Sequence, residues 1–353
     1  MDAFEPTEKL NFFDQTQLSL RDYFASVGEK PFRADQLFSW VYKKREESVE
    51  SMTDLSKSFR DSINDILEFK RPKVVAFLES KDGTQKYLFD VGEGLTVETV
   101  MIPAGDRKTL CVSSEVGCNL GCKFCFTGKY KLKKRLSPSQ IVGQFLVVND
   151  KLLAEGEKGL TNVVFMGMGE PLDNPEGVFG AIEILQNDRG INFSRKRVTV
   201  STSGLVKLIP MITKSGAHLA VSLNGSNNKV RSEIMPINKK HPIEELLTAT
   251  DKHSELTGDE VTFEYVLLKG VTDDMAHARE LAVLLKGRKA MINLIPFNEH
   301  PDSGFEKPET ETVKKFQAYL LKKGLRVYVR QTRGEDIYAA CGQLHAVNEA
   351  EQL

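Results

Sequence analysis

The chain has 353 residues, of which 41% are hydrophobic and 27% are charged, with 48 basic against 49 acidic side chains. This composition is ordinary for a soluble globular protein, and the length allows one large domain and a smaller one. No window approaches the roughly 18 apolar residues that cross a membrane, and the first ten residues carry no export signal. We therefore expect a cytoplasmic protein without a membrane partner. The balanced net charge neither favours nor excludes a nucleic-acid partner.

The first third of the chain predicts a small helical module followed by strands. Between about residues 18 and 67, short segments place apolar residues on one face, as amphipathic helices do. Three strand-like runs follow, PKVVAFLES, TQKYLFDV and LTVETVMI, with a turn at Lys81-Asp82-Gly83. We assign residues 1–70 to an accessory domain that binds RNA and residues 71–108 to a β-rich connecting segment. The basic side chains of the helices either contact RNA phosphates or form a solvated face, and the sequence leaves both open.

Strand-like and helical patterns alternate from about Thr109 onward. The strand-like runs are TLCVSS, NVVFMG, RVTVST, HLAVSLN, VTFEYVLL and INLIP. This alternation predicts βαβ units around a parallel sheet or barrel, and hence an α/β fold. We assign residues 109–330 to a partial (β/α) barrel and residues 331–353 to a C-terminal tail.

Two of the intervening helices have clear end signals. In SPSQIVGQFLVV, Ser137 is placed to cap the helix, Pro138 occupies the first turn and Gln140 completes a capping box. The second helix, ETVKKFQAYLLKKG, ends with lysines and Gly324, as helix C-termini prefer.

The five cysteines form the most informative pattern in the chain. An odd number of cysteines without a secretion signal disfavours a structural disulfide framework and favours ligands or reactive thiols. Cys118, Cys122 and Cys125 lie in one short segment, CNLGCKFC, whereas Cys111 and Cys341 lie outside it. Three thiolates leave one iron of a four-iron cluster open to a small molecule. A structural zinc site is the alternative, but it normally uses four ligands in two pairs.

Small and polar residues end several of the predicted strands. VFMGMGEPLDN places Gly169 and Glu170 directly after a strand, and KRVTVSTSG and LAVSLN end in the same way. Ligands bind at the carboxyl ends of strands in α/β sheets and barrels. We therefore expect a ligand site beside the cysteine segment.

The CxxxCxxC segment, with Phe124 before its third cysteine, resembles the radical S-adenosylmethionine superfamily. The resemblance implies a partial or complete barrel of βα units and a four-iron, four-sulfur cluster. It also implies that the open iron binds the amino and carboxylate groups of S-adenosylmethionine, and that one-electron cleavage produces a 5′-deoxyadenosyl radical.

Further motifs resemble one family within this superfamily. RGEDIYAACGQL near the C-terminus, together with VETVMIP, MGMGEPL, MPINKK and INLIPFN, is similar to the RlmN/Cfr radical methyltransferases. These enzymes act on 23S ribosomal RNA and, in many bacterial members, on tRNA. The resemblance extends from the segment PFRADQLFSWVY to CGQL, which is nearly the whole chain.

The family resemblance also implies residue roles. Cys341 would carry a methyl group as S-methylcysteine, Glu98 would act as the general base, and Cys111 would release the product by attacking the Cys341 sulfur. The implied contacts of the cosubstrate are Gly169, Glu170, Ser201, Ser222, Leu223, Asn224 and Asn298. Many members have His at the position of Asn224, although Asn can still donate and accept hydrogen bonds there.

Three functions stay open at this stage. The first is methylation of adenine carbon 2, in the peptidyl transferase centre of 23S rRNA and beside the anticodon of tRNA. The second is methylation of carbon 8, and the third is a metal- and RNA-binding protein without turnover. Pro171 and the Ser203-Gly204 pair favour carbon 2, because they match the housekeeping branch of the family. We also expect a flavodoxin or ferredoxin system as electron donor, and a monomer.

Overall fold

The computed structural model describes residues 9–300 and 303–344. This description leaves out residues 1–8, where we expect no export signal, and residues 345–353 of the predicted tail. Within the described ranges, no helix combines the length and apolar character needed to cross a membrane.

The N-terminal region folds into short helices around an aromatic core. Its elements are the helices α1 (Gln17–Ser26), α2 (Arg33–Phe38) and α3 (Lys57–Ile66) and the paired strands β1 (Leu10–Asn11) and β2 (Leu67–Glu68). Thr16 caps α1 by accepting a hydrogen bond from the Ser19 N–H at 3.1 Å. The fully buried Phe12, Phe13 and Phe38 pack edge to face, which stabilises the module beyond the burial of their area.

An antiparallel meander follows, and it contains the three predicted strands. The strands are β3 (Lys73–Glu79), β4 (Gln85–Asp90), β5 (Thr96–Ala104) and β6 (Arg107–Cys111), and each pairs with its sequence neighbour. Gly83 closes the predicted turn between β3 and β4, with a φ of +81° and an N–H that donates to Ser80 O at 3.0 Å. These strands belong to the same sheet as the barrel. The limits that we assign to the connecting segment, residues 71–108, stay a prediction.

The cysteine segment leaves the sheet between two short strands. These are β7 (Glu115–Val116) and β8 (Lys134–Arg135), which pair antiparallel. Residues 117–133 between them are called the cluster loop below. The two basic residues of β8 form ion pairs, Lys134 Nζ with Glu93 at 2.8 Å and Arg135 with Asp173 at 2.9 Å.

The rest of the described chain alternates strands with helices, as predicted. The strands are β9 (Asn162–Phe165), β10 (Val198–Thr202), β11 (His218–Ser222), β12 (Val261–Leu267), β13 (Ala290–Pro296) and β14 (Arg326–Val329). The helices are α4 (Pro138–Ala154), α5 (Pro175–Gln186), α6 (Ile209–Ser215), α7 (Asn228–Ile234), α8 (Ile243–Thr257), α9 (Met275–Leu284) and α10 (Thr310–Lys322). The parallel strands run in the order β6, β9, β10, β11, β12, β13, β14, and the antiparallel β5, β4 and β3 continue the sheet beyond β6. The α/β prediction is therefore confirmed, with a mixed sheet.

The helix ends predicted in this region are present in the structure. The capping box of α4 is present, with Ser137 Oγ accepting from Gln140 N at 3.4 Å and Ser137 N donating to Gln140 Oε1 at 3.1 Å. Gly324 follows α10 with a φ of +82°. Strand β14 was not predicted; in this short strand both Arg326 and Tyr328 are exposed, so it has no apolar run.

Candidate active site and cluster loop

The cluster loop is wound tightly enough to require glycine at its start. Gly117 has a φ of +78°, and a Cβ there would lie 2.3 Å from Lys131 O. The next residue, Cys118, donates its N–H to Tyr130 O at 2.9 Å, which closes the base of the loop. The closed loop holds all three thiols of the CxxxCxxC segment.

These thiols suit an iron–sulfur cluster better than a lone ion. Burial raises the pKa of Cys122 to about 12, and it also raises the pKa of Cys118 and Cys125. A raised pKa favours the protonated thiol. A bound metal favours the thiolate instead, because coordination removes the thiol proton. In the described ranges no three Cys, His, Asp or Glu side chains converge on one ion. A four-iron cluster does not need that convergence, since each thiolate binds a different iron.

A cavity lies beside the cluster loop, at the carboxyl ends of the parallel strands. It contains about 910 Å³ of space between protein atoms, part of it open to solvent. Most of the predicted site residues line it, namely Cys122, Cys125, Gly169, Glu170, Ser201, Ser222, Asn224, Asn298 and Cys341. Cys118 does not line it, and Leu223 is fully buried in the hydrophobic core.

Gly169 and Glu170 form a tight acidic turn at one wall of this cavity. Gly169 has a φ of +97°, and a Cβ there would lie 2.5 Å from Glu115 Cβ. The buried Glu170 carboxylate accepts N–H bonds from Ser203 at 2.8 Å and from Leu172 at 3.2 Å. Burial raises the pKa of Glu170, and these hydrogen bonds oppose the increase. An oriented carboxylate suits a cationic ligand group, because burial makes an unpaired charge costly.

Arg231 holds two of the strand ends that surround the cavity, and sequence reasoning missed it. Its side chain is fully buried and donates to Ser203 O at 2.6 Å, to Leu223 O at 2.9 Å and to Asn238 Oδ1 at 2.8 Å. Burial lowers the pKa of this guanidinium to about 10. The motif MPINKK lies close to Arg231 in sequence, but no local pattern indicates that this side chain holds two strand ends together.

Two of the predicted cosubstrate contacts use their amides within the protein. Asn224 Oδ1 accepts from Val266 N at 2.9 Å. Asn298 Nδ2 donates to Cys341 O at 3.2 Å, while its Oδ1 accepts from Thr332 Oγ1 at 2.9 Å. Asn298 therefore anchors the tail that carries Cys341.

The cluster loop holds the same tail from the other side. Phe126 N donates to Gly342 O at 2.8 Å, and Thr127 Oγ1 donates to Leu344 O at 2.5 Å. These bonds place Cys341 next to the cluster loop, although the two are far apart in sequence.

A second cavity, of about 1,780 Å³ and also open to solvent, lies along the inner face of the sheet. Cys111 and Cys341 both line it, and Cys341 lines the first cavity as well. Both are free thiols, Cys111 buried and Cys341 exposed. Burial raises the pKa of Cys111 to about 12, although the Arg330 guanidinium opposes the increase. The two thiols that lie outside the cluster loop therefore open onto one space.

Glu264 and Arg330 are charged groups of this site that sequence reasoning also missed. Glu264 Oε1 accepts from Asn293 Nδ2 at 3.0 Å, and Oε2 has no hydrogen-bond partner among the described residues. Burial raises the pKa of Glu264, and Arg330 opposes the increase. The Cys341 sulfur in turn raises the pKa of Arg330. A carboxylate within the apolar run VTFEYVLL was the signal that could have indicated Glu264.

Glu98 lies deeper, on β5, and lines neither cavity. It is buried, and its Oε1 lies 2.8 Å from Lys86 Nζ. Strand alternation places it on the same face of β5 as Val100, which lines the second cavity. Its backbone O accepts from Ser113 Oγ at 2.5 Å.

Comparisons with known proteins agree with this arrangement. A family model described as the Radical SAM superfamily matches residues 112–282, and one described as the ribosomal RNA large subunit methyltransferase N-terminal domain matches residues 10–81. A radical SAM methyltransferase structure from Sphaerobacter thermophilus superposes with a TM-score of 0.88 at 40% identity, covering 95% of this chain and 99% of that one.

Curated relatives match over nearly the full length. The dual-specificity RNA methyltransferase RlmN of Bdellovibrio bacteriovorus is 52% identical, covering 98% of this chain and 86% of the relative. The protein of the same name from a Marinomonas species is 45% identical, covering 96% of this chain and 93% of the relative.

Proposed function

Since this chain belongs to the RlmN family of radical S-adenosylmethionine RNA methyltransferases, we propose that it methylates carbon 2 of adenine. The substrates are an adenine in the peptidyl transferase centre of 23S rRNA and the adenosine 3′ of the anticodon in tRNA. The relatives' name, dual-specificity RNA methyltransferase, supports an RNA substrate, and the matching N-terminal family model supports ribosomal RNA. Pro171 and Ser203-Gly204 support carbon 2 over carbon 8.

One observation carries the proposal: Cys341 lines both cavities. Adenine carbon 2 is flanked by two ring nitrogens and is electron-poor, so it cannot attack a methyl sulfonium as a nucleophile. A thiol that first accepts the methyl group and then presents it to the base answers this difficulty. Cys341 is placed for both tasks, because one cavity adjoins the cluster loop and the other contains Cys111.

The cofactors of the family fit the residues present. When bound, the four-iron, four-sulfur cluster and S-adenosylmethionine supply an electron, a methyl group and a 5′-deoxyadenosyl radical. The thiols of Cys118, Cys122 and Cys125 hold the cluster. The cosubstrate would be held in the first cavity by residues at strand ends and turns, namely Gly169, Glu170, Ser201, Ser222, Leu223, Asn224 and Asn298. Leu223 contributes through its backbone, since its side chain is in the core.

Glu98, Cys111 and Arg330 complete the reaction once Cys341 is linked to the base through its methylene carbon and the linked base has given up its unpaired electron, which the cluster, when bound, would take back. Glu98 takes the proton from the ring carbon. The Cys111 thiolate then attacks the Cys341 sulfur, and the carbon–sulfur bond breaks with its electron pair on the former methylene carbon, which takes a proton. The product is methylated RNA and a Cys111–Cys341 disulfide, which cellular thiols reduce. Arg330 favours the thiolate of Cys111.

The remaining features of the proposal concern partners and organisation. A flavodoxin or ferredoxin system supplies electrons, the protein acts as a monomer, and it works in the cytoplasm, where its RNA substrates are. The chain divides into an RNA-binding accessory domain (1–70), a connecting segment (71–108), the barrel (109–330) and the carrier tail (331–353). The ring packing within the N-terminal helices supports the first of these units, and these rings join the same buried cluster as the barrel core.

Mass spectrometry of nucleosides tests the choice of carbon atom. RNA treated with the reconstituted enzyme should contain 2-methyladenosine, identified by its retention against 2-methyl and 8-methyl standards. Cys341→Ala should give neither product nor a protein–RNA adduct, whereas Cys111→Ala should accumulate the adduct on a denaturing gel. A predominance of 8-methyladenosine would overturn the carbon 2 assignment, and free, unmodified RNA with both variants would overturn the role of Cys111.

A further inference from the structure

Lys86 connects two parts of the site that are distant in sequence. It lies on β4, and its Nζ is 2.8 Å from Glu98 Oε1 on the neighbouring strand β5. The same ammonium donates to Tyr338 O at 3.4 Å. Tyr338 belongs to the tail and precedes Cys341 by three residues. One cation thus contacts both the candidate base and the segment that carries the methyl group.

The burial of this ion pair makes it chemically consequential. The Lys86 and Glu98 side chains are only 9% and 5% exposed. A buried carboxylate without a counter-charge favours its neutral form, which cannot accept a proton. A buried ammonium at hydrogen-bond distance stabilises the ionised form, and its removal leaves an uncompensated charge. Lys86 therefore supplies the partner charge that this buried carboxylate needs.

The contact with the tail is part of a larger attachment to the β3–β4 hairpin. Gly334 N donates to Asp82 Oδ2 at 3.2 Å, and Ser80 Oγ donates to Asp336. Tyr338 has a left-handed backbone with a φ of +50°, a conformation that needs support from its surroundings in a residue other than glycine. Among these hairpin contacts, the one made by Lys86 lies nearest Cys341 in sequence. Lys86 is also the residue among them whose side chain contacts Glu98.

We propose that Lys86 is a positioning residue that holds the Glu98 carboxylate and sets its place relative to the Cys341 tail. This inference rests on the proposed function, because it takes Glu98 as the base. Lys86 makes no covalent bond and transfers no proton; it acts through the carboxylate and the tail carbonyl. Its effect is confined to the release of the protein–RNA adduct and leaves the earlier methylation of Cys341 unchanged.

The test compares Lys86→Met and Lys86→Arg with Lys81→Met, an exposed lysine on the same hairpin. The reconstituted holoenzyme is mixed with an rRNA fragment, and product and adduct are followed in a single turnover. General bases contribute about a hundredfold or more, so Lys86→Met should slow adduct release at least tenfold. Lys86→Arg should restore most of the rate, and Lys81→Met should match the wild type. The mass of Cys341 after incubation with cosubstrate should show the methyl group in every variant.

A double variant separates an effect through Glu98 from general damage. If Lys86 acts through Glu98, Lys86→Met combined with Glu98→Gln should release the adduct no more slowly than Glu98→Gln alone. The double variant also leaves no unpaired buried charge, so it can be assayed even if Lys86→Met alone unfolds. Wild-type rates of release in Lys86→Met, or multiplicative defects in the double variant, would overturn the inference. A wild-type enzyme that neither methylates Cys341 nor forms product would instead overturn the proposed function.

Discussion

Replacing Arg231 with Met should weaken both the fold and the cosubstrate cavity. The substitution keeps an apolar chain of similar length but removes the guanidinium donors to oxygens of Ser203, Leu223 and Asn238, at 2.6 to 2.9 Å. Leu223 O also accepts from Gly225 N at 2.7 Å, so Ser203 O and Asn238 Oδ1 are the two of these that lose their donor. Each buried acceptor left without a partner costs about 1–3 kcal/mol. The total is partly offset, because Met avoids the cost of burying a charge. We expect a net loss of about 2 kcal/mol in the free energy of unfolding.

The assay is urea unfolding of the metal-free protein, followed by circular dichroism. Lys229→Met is the matched control, since Lys229 is exposed on the same helix, α7. The strand ends at Ser203 and Leu223 should also move, so the affinity of the reconstituted protein for S-adenosylhomocysteine should fall. A loss of less than 1 kcal/mol relative to the control, with unchanged affinity, would refute the view that Arg231 holds these strand ends.

Three further predictions concern the cluster, the release step and the acidic turn. Anaerobically reconstituted protein should carry about four irons and four sulfides per chain, and a variant with Ala at all three thiols of the cluster loop should carry none; stoichiometric zinc would contradict this. Burial raises the pKa of Cys111 to about 12, so its thiolate fraction rises with pH throughout the neutral range. Adduct release should therefore accelerate about tenfold per pH unit between pH 7 and 9. A plateau below pH 8 in a denaturing-gel time course would contradict this prediction. Gly169→Ala should weaken cosubstrate binding at least tenfold in calorimetry, because its Cβ would clash with Glu115. Gly156 also has a positive φ, of +78°, but no neighbour lies within 4 Å of its Cβ position, so Gly156→Ala should bind normally.

Local features of this protein could be predicted from the sequence because they depend on residues close together in the chain. The capping box of α4 involves residues three apart, and the turn at Gly83 involves the backbone of four residues. The spacing of Cys118, Cys122 and Cys125 likewise placed three thiols in one loop. The alternation of strand-like and helical patterns predicted the α/β fold, since the spacing of apolar residues in a segment reflects the environment of that segment alone. The roles of Glu98, Cys111 and Cys341 came from family resemblance, and no local pattern indicated them.

The tertiary structure alone decided which of these segments meet. Strand pairing sets Lys86 beside Glu98, and the return of the tail across the sheet brings Cys341 to the cavity that Cys111 lines. Arg231 shows the same limit, because the oxygens it binds belong to separate strand ends and a following turn. A charged side chain is buried only where partners from distant segments satisfy it. Sequence shows the charge, but the partners exist only once the strands have taken their order and register.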